Sequence, residues 1–150
     1  MADAMTPAKT PASFRDPSGF LFTIGNEVYR QVNKNPSPGI GWQNTERTGL
    51  MERGPADTLI ALALIHHLAV SNNLPFAKVA NFMQQVCEWL IIEFVPKKDS
   101  QVQRLLATRK DIFPDYTQET FEQEFGRYFA QKNKTQIKES ERILYLMRKI

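Results

Sequence analysis

The chain has 150 residues, a formal net charge of +3 and a single cysteine, and 42% of its residues are hydrophobic. A chain of this length can bury one core, and a single thiol excludes an internal disulfide. The longest apolar run, Leu59–Ile65, is far too short to cross a bilayer, and the Lys and Arg residues are spread along the chain. The composition therefore predicts a cytoplasmic, single-domain protein with no membrane span and no strong nucleic-acid signal.

The first third of the sequence is rich in turn-forming residues. Residues 1–13 are dominated by Ala, Pro and Thr, so we expect them to be disordered, and they contain no apolar segment typical of a secretory signal. Residues 14–34 hold two short apolar runs around a Gly-Asn pair, which predicts a β-hairpin. Residues 35–56 contain Pro and Gly breaks and are predicted to be a linker or loop, with room for a short helix within 45–53.

Residues 57–150 show alternating signals for strands and helices. The run 58–64 suits a strand or a helix, and the helix start at Ser71–Pro75 that follows it favours a strand. The order from there predicts a largely parallel sheet that ends in an antiparallel hairpin, which is an α/β fold. The predicted elements are a strand at 58–64, a helix after Pro75, a strand at 90–95, a helix capped by Asp99 or Ser100, a helix capped by Thr117, and strands at 129–137 and 142–149.

Three of these segments resemble parts of the class I S-adenosylmethionine-dependent methyltransferases. Asp57–Leu68 resembles the fourth strand of that family and the turn after it, Leu90–Pro96 the fifth strand, and Ile143–Met147 the antiparallel seventh strand. Phe14–Asn33 is similar to the N-terminal hairpin of a bacterial group of these enzymes, some of which are linked to nodulation. The resemblance implies a partial Rossmann-like methyltransferase sheet, its C-terminal half, with an N-terminal β-hairpin.

The cofactor-binding half of that family has no counterpart here. In the family, a glycine-rich turn after the first strand approaches S-adenosylmethionine, and an acid after the second strand binds its ribose. Gly39-Ile40-Gly41 is the one G-x-G in this sequence, and it follows prolines instead of a strand. We therefore expect a methyltransferase family member that lacks the cofactor-binding half and is weakly active or inactive as this chain.

A second interpretation is a non-catalytic interaction or remnant protein. Without the first three strands, the strand in the fourth position becomes an exposed apolar edge, which predicts a homo-oligomer formed through that edge. The methyl acceptor stays open between protein, nucleic acid and small molecule.

The resemblance also implies candidate site residues. It places the catalytic residues at the end of the fourth strand, at His66 and His67. The residues on the cofactor side are Asp57 and Leu64. The residues that face the substrate are Asn72, Asn73 and Glu93. The alternatives are packing of one histidine with the other solvated, helix capping for the asparagines, an ion pair with a basic side chain for Glu93, and a structural role for Asp57. Adjacent histidines point in different directions and no third ligand is suitably spaced, so no metal site is predicted.

Two further features favour packing over chemistry. Cys87 is predicted to lie on the apolar stripe of the helix that follows Pro75, where a packed thiol is more common than a nucleophile. Phe121, Phe125 and Phe129 are spaced at four residues, which predicts a core-facing stripe.

Overall fold

The computed structural model describes residues 22–23, 39, 41–46, 49–53, 55–108 and 110–150, and it has a mixed α/β fold. Its sheet contains five strands, β1 (Phe22–Thr23), β2 (Ala56–Ala61), β3 (Cys87–Phe94), β4 (Phe129–Gln136) and β5 (Ile143–Lys149). The spatial order is β1-β2-β3-β5-β4. The strands β1, β2 and β3 are parallel, and β5 runs antiparallel to both β3 and β4. The predicted α/β fold and its closing antiparallel hairpin are confirmed.

In the described residues, four α-helices accompany the sheet: α1 (Leu50–Arg53), α2 (Phe76–Val86), α3 (Ser100–Leu106) and α4 (Gln118–Gly126). Two of them begin at the predicted caps. The Asp99 carboxylate accepts a hydrogen bond from the Gln101 N–H at 2.9 Å, and the Thr117 hydroxyl accepts one from the Thr120 N–H at 3.2 Å. Pro75 stands at the N-cap of α2 without a capping side chain. The described part of the chain also contains a short 3-10 turn at Trp42–Asn44 and a π-helical turn at His67–Ser71. None of the helices in the described ranges is long and apolar enough to cross a membrane.

The core lies between one face of the sheet and helices α2 and α4. On the sheet side, Leu59 of β2 is paired with Leu90 of β3, and Leu90 is paired with Met147 of β5, so three buried side chains cross the sheet in one row. Aromatic rings fill the space above them, with the Phe121 and Phe125 ring centroids 4.3 Å apart. Burying a phenylalanine side chain of this kind contributes about 2–3 kcal/mol, so this face accounts for much of the stability of the fold.

Two predicted boundaries are wrong, and both errors arise where a helix and a strand meet. The strand predicted at 58–64 spans Ala56–Ala61 and ends three residues earlier, because Ala63 adopts a left-handed backbone with φ 48°. Cys87 is not on the helix stripe; it is the extended first residue of β3, with φ −149°. Because Cys87 is extended, the helix ends at Val86 and the strand begins at Cys87, before residue 90, where the sequence pattern predicted its start.

The N-terminal predictions fall largely on residues that are not described. The disordered segment 1–13 lies outside the described residues, and so does the hairpin at 14–34 except for Phe22–Thr23. These two residues form β1, which pairs in parallel with Leu59 and Ile60 of β2. The outer edge of β2 is therefore partly covered, at the position where the sequence predicted a bare edge. The short helix allowed within 45–53 is confirmed as α1.

Candidate functional site at the carboxyl ends of β2 and β3

The parallel strands β2 and β3 end at the same edge of the sheet, at Ala61 and Phe94. Ile143, the first residue of β5, is paired with Phe94, so the antiparallel strand β5 begins where the parallel strands end. Arg142 is thereby brought to the carboxyl-terminal edge. In open α/β sheets this edge is where ligands bind, so the polar groups gathered there form the candidate site.

Glu93, the penultimate residue of β3, lies at the centre of this group. Its side chain is 8% exposed. One carboxylate oxygen accepts a hydrogen bond from the Ala63 N–H at 2.5 Å, and the other lies 3.4 Å from a guanidinium nitrogen of Arg142. Glu93 is therefore both paired with a basic side chain and located at the strand end, the two alternatives that its sequence position left open. Its bond to Ala63 stabilises a left-handed backbone that costs a non-glycine residue about 1 kcal/mol.

Arg142 connects Glu93 to Asp99 in the loop before α3. Two guanidinium nitrogens of Arg142 donate to the two carboxylate oxygens of Asp99, at 2.7 and 3.1 Å. This two-bond geometry is the strongest that an arginine forms with a carboxylate. The hydrogen bonds from Arg142 lower the pKa of Asp99, and those to Asp99 raise the pKa of Arg142. The sequence marked Asp99 only as a helix cap and did not mark Arg142, because these partners are 43 residues apart.

The two histidines lie in the turn after β2, not at the end of the strand. His66 precedes the π-helical turn at His67–Ser71, and the two imidazole centroids are 4.2 Å apart. His66 is 1% exposed. Its pKa is lowered to about 4, chiefly by burial and further by the neighbouring His67 and Arg142. Burial also lowers the pKa of His67, which is half-buried. Both imidazoles are thus neutral at pH 7, and His66 is shielded from any molecule in the crevice.

Two buried polar atoms near this turn form no hydrogen bond with the described residues. They are Nδ1 of His66 and the side-chain nitrogen of Asn72. Buried donors and acceptors of this kind are uncommon in folded proteins, and each costs about 1–3 kcal/mol when unsatisfied. The turn after β2 is therefore the part of the described chain in which polar groups are least satisfied.

The other predicted site residues are dispersed. Asp57 is exposed near the amino end of β2, at the opposite end of that strand from the Glu93 group. Leu64 is buried in the core, where it packs and offers no polar atom from its side chain. Asn73 is exposed with a left-handed φ of 55° and lines a separate cleft beside the first turn of α2. Glu93 and His66 thus lie near Arg142, whereas Asp57 lies near the other end of β2.

Comparison with known proteins finds a bacterial protein to which this chain is similar. Over 112 residues the chain is 46% identical to the nodulation protein NoeA of Rhizobium meliloti (strain 1021), a match that covers 75% of this chain and 24% of that relative. The chain is similar to a nodulation protein. This likeness supports a nodulation-linked family, and the chain spans about a quarter of the length of NoeA. No family model matches the chain, and no solved structure matches it.

The similarity to NoeA agrees with the nodulation link that the resemblance of Phe14–Asn33 implied. The name of the relative states a biological process and not a reaction.

Proposed function

We propose that this chain is the C-terminal half of an S-adenosylmethionine-dependent methyltransferase domain of a nodulation-linked family, weakly active or inactive by itself. The observation that carries the proposal is the position of β5. This strand is antiparallel and lies between β3 and β4, after two parallel strands joined by the helix α2. The class I family that the sequence resembles has a sheet whose last strand is antiparallel in the same way.

The described residues do not fit the cofactor of that family. A cofactor loop has glycines that end a strand and open a helix, so that backbone N–H groups face the ligand. Gly41, with φ 88°, instead opens a short 3-10 turn at Trp42–Asn44 whose residues are all exposed. No methyl-transfer step is therefore assigned to the residues of this chain.

The polar group at the strand ends supports a role in shaping the crevice. Arg142 holds Glu93 and Asp99 together, and Glu93 holds the backbone after β2. Of the two histidines, His67 has the larger exposed surface. We assign contact with a bound substrate to His67 and support of its ring to His66. Asn72 ends the same turn and belongs to the substrate side of the proposal, whereas Asn73 lines the separate cleft beside α2.

Calorimetric titration of the full chain with S-adenosylmethionine tests the proposal. We expect a dissociation constant no tighter than about 1 mM, which corresponds to about −4 kcal/mol. S-adenosylhomocysteine serves as the matched ligand without the transferable methyl group, and we expect equally weak binding. A micromolar constant for either molecule would contradict the loss of the cofactor-binding half.

The alternative function is an interaction protein that associates through the outer edge of β2. The described pairing of β1 reaches only Leu59 and Ile60, so Ala56–Thr58 and Ala61 have no described strand partner on that side. Unpaired strand edges favour association with further strands. Light scattering coupled to size exclusion tests this function, with Thr58→Lys expected to abolish association and Thr135→Lys on β4 as the control. A monomer at high concentration in the unsubstituted chain would refute it.

A further inference from the structure

We propose that a cleft beside the first turn of α2 binds an organic ammonium ion, a molecule with an apolar body and a cationic amine. The cleft lies between α2, α4 and the loop of residues 111–116, and has a volume of about 500 Å³. This is within the range of about 300–1,000 Å³ that small-molecule sites occupy in proteins. The inference goes beyond the proposed function and is independent of cofactor binding.

The walls of the cleft combine apolar and polar surface in similar proportion, and the apolar part is largely aromatic and aliphatic side chains. The rings of Phe76 and Tyr116 are buried beneath it with their centroids 5.2 Å apart, and Phe113 is half-buried at its side. Ile112 stands at the rim and is 58% exposed. A large exposed aliphatic side chain next to aromatic rings offers apolar surface that a ligand can remove from water, at about 25 cal/mol per Å².

The charged side chains that line the cleft are both acidic. They are Asp115 and Glu124, and the lining contains no Lys, Arg or His among the described residues. Asp115 forms no ion pair with any described residue, so its charge is available to a ligand. Glu124, whose side chain is 15% exposed, lies 3.0 Å from the guanidinium of Arg127, so Arg127 neutralises part of its charge. The remaining polar groups of the lining are uncharged.

One feature of the cleft favours an anionic ligand. The first turn of α2, from Pro75 to Ala77, also lines the cleft, and it has no side-chain cap. The amino end of a helix acts as about half a positive charge, and this effect is screened within the first turn. Because Arg127 pairs with Glu124, the comparison rests on the full charge of Asp115, which exceeds that half charge. The balance therefore favours a cation over an anion.

The loop that forms one side of the cleft is held in place before a ligand binds. The Tyr116 hydroxyl donates to the Val95 carbonyl at 2.7 Å, just after β3, and the Lys97 ammonium donates to the Phe113 carbonyl at 2.9 Å. A site that is already ordered loses less conformational entropy on binding. These two bonds therefore favour a preformed cleft.

Three probes that share one apolar body test the inference: 2-phenylethylammonium, 3-phenylpropanoate and 2-phenylethanol. Each is titrated into the full chain and followed by amide chemical shifts in two-dimensional NMR. We expect 2-phenylethylammonium to bind about fivefold more tightly than 2-phenylethanol, the effect of one partly exposed charge pair. We expect 3-phenylpropanoate to bind most weakly, with shifts centred on residues 73–77 and 112–116.

Two variants identify the site. Asp115→Asn is expected to reduce the preference for 2-phenylethylammonium over 2-phenylethanol to about twofold or less, while Glu119→Gln on the exposed side of α4 leaves it unchanged. Ala77→Phe places a ring in the cleft and is expected to weaken all three probes, with thermal unfolding confirming that the variant is folded. Equal affinities for the three probes, tighter binding of 3-phenylpropanoate, or shifts centred elsewhere would overturn the inference.

Discussion

Replacing Arg142 by methionine removes the positive charge that lies between Glu93 and Asp99. The side chains of Glu93, Asp99 and Arg142 are 8%, 14% and 23% exposed, so the group is more buried than a surface ion pair. Breaking a buried pair costs about 3–5 kcal/mol, because the remaining charge stays buried, whereas exposed pairs contribute about 0–1 kcal/mol. Since Asp99 keeps some contact with water, we expect Arg142→Met to lower the free energy of unfolding by about 2–3 kcal/mol.

Urea denaturation followed by circular dichroism measures this loss, with Arg148→Met as the matched control. Arg148 lies 3.4 Å from Glu88 and its side chain is 53% exposed. Its guanidinium also lies 5.3 Å from the ring centroid of Trp89. We expect the control to lose no more than about 1 kcal/mol. If the two arginine variants lose the same free energy, burial does not distinguish the two groups and the reasoning is wrong.

A double variant separates the charge effect from a loss of packing. Glu93→Gln keeps an oxygen that can accept from the Ala63 N–H while removing one of the two charges that Arg142 neutralises. In the Arg142→Met background, Glu93→Gln should therefore cost less than it does alone, by about 1 kcal/mol or more of coupling. Additive losses would show that packing, and not charge pairing, accounts for the effect of Arg142→Met.

The remaining predictions concern acid sensitivity and two local bonds. Because the pKa of His66 is about 4 in the folded chain and 6.5 in the unfolded one, the unfolded state binds the proton first, and stability falls as the pH decreases from 6.5 to 4. His66→Gln should reduce this loss of stability by up to about 3 kcal/mol at pH 4, as measured by urea titration. An equal pH dependence in the variant and the unsubstituted protein would show that His66 does not cause the loss. Tyr116→Phe removes the bond to the Val95 carbonyl and should lower the unfolding free energy by about 1–2 kcal/mol; no change in the urea midpoint would contradict a buried bond. Thr117→Ala should lower the free energy of unfolding by about 1 kcal/mol, because it removes the hydroxyl that accepts a hydrogen bond from the Thr120 N–H. Thr117→Ser keeps a hydroxyl and should retain most of that stability.

The candidate site shows where sequence reasoning reached its limit. Glu93 was identified because a carboxylate inside an apolar strand needs a partner, and that argument uses only neighbouring residues. The partner, Arg142, is 49 residues away and carries no local signal. The sequence also did not indicate that His66 is buried, because a His-His pair after an apolar run has the same pattern whether it faces the crevice or the core.

The sequence by itself determined the elements whose signals are local. Caps at Asp99 and Thr117, the apolar period of α2 and the order of strands and helices all depend on residues within about one or two helical turns of each other. Only the tertiary structure decided that β5 lies between β3 and β4, and that β1 covers part of β2. Sheet order and register depend on contacts between distant segments, and such contacts brought the Glu93–Arg142–Asp99 group together at the strand ends. The sequence thus predicted the parts of this α/β fold, and pairing between distant strands determined its site.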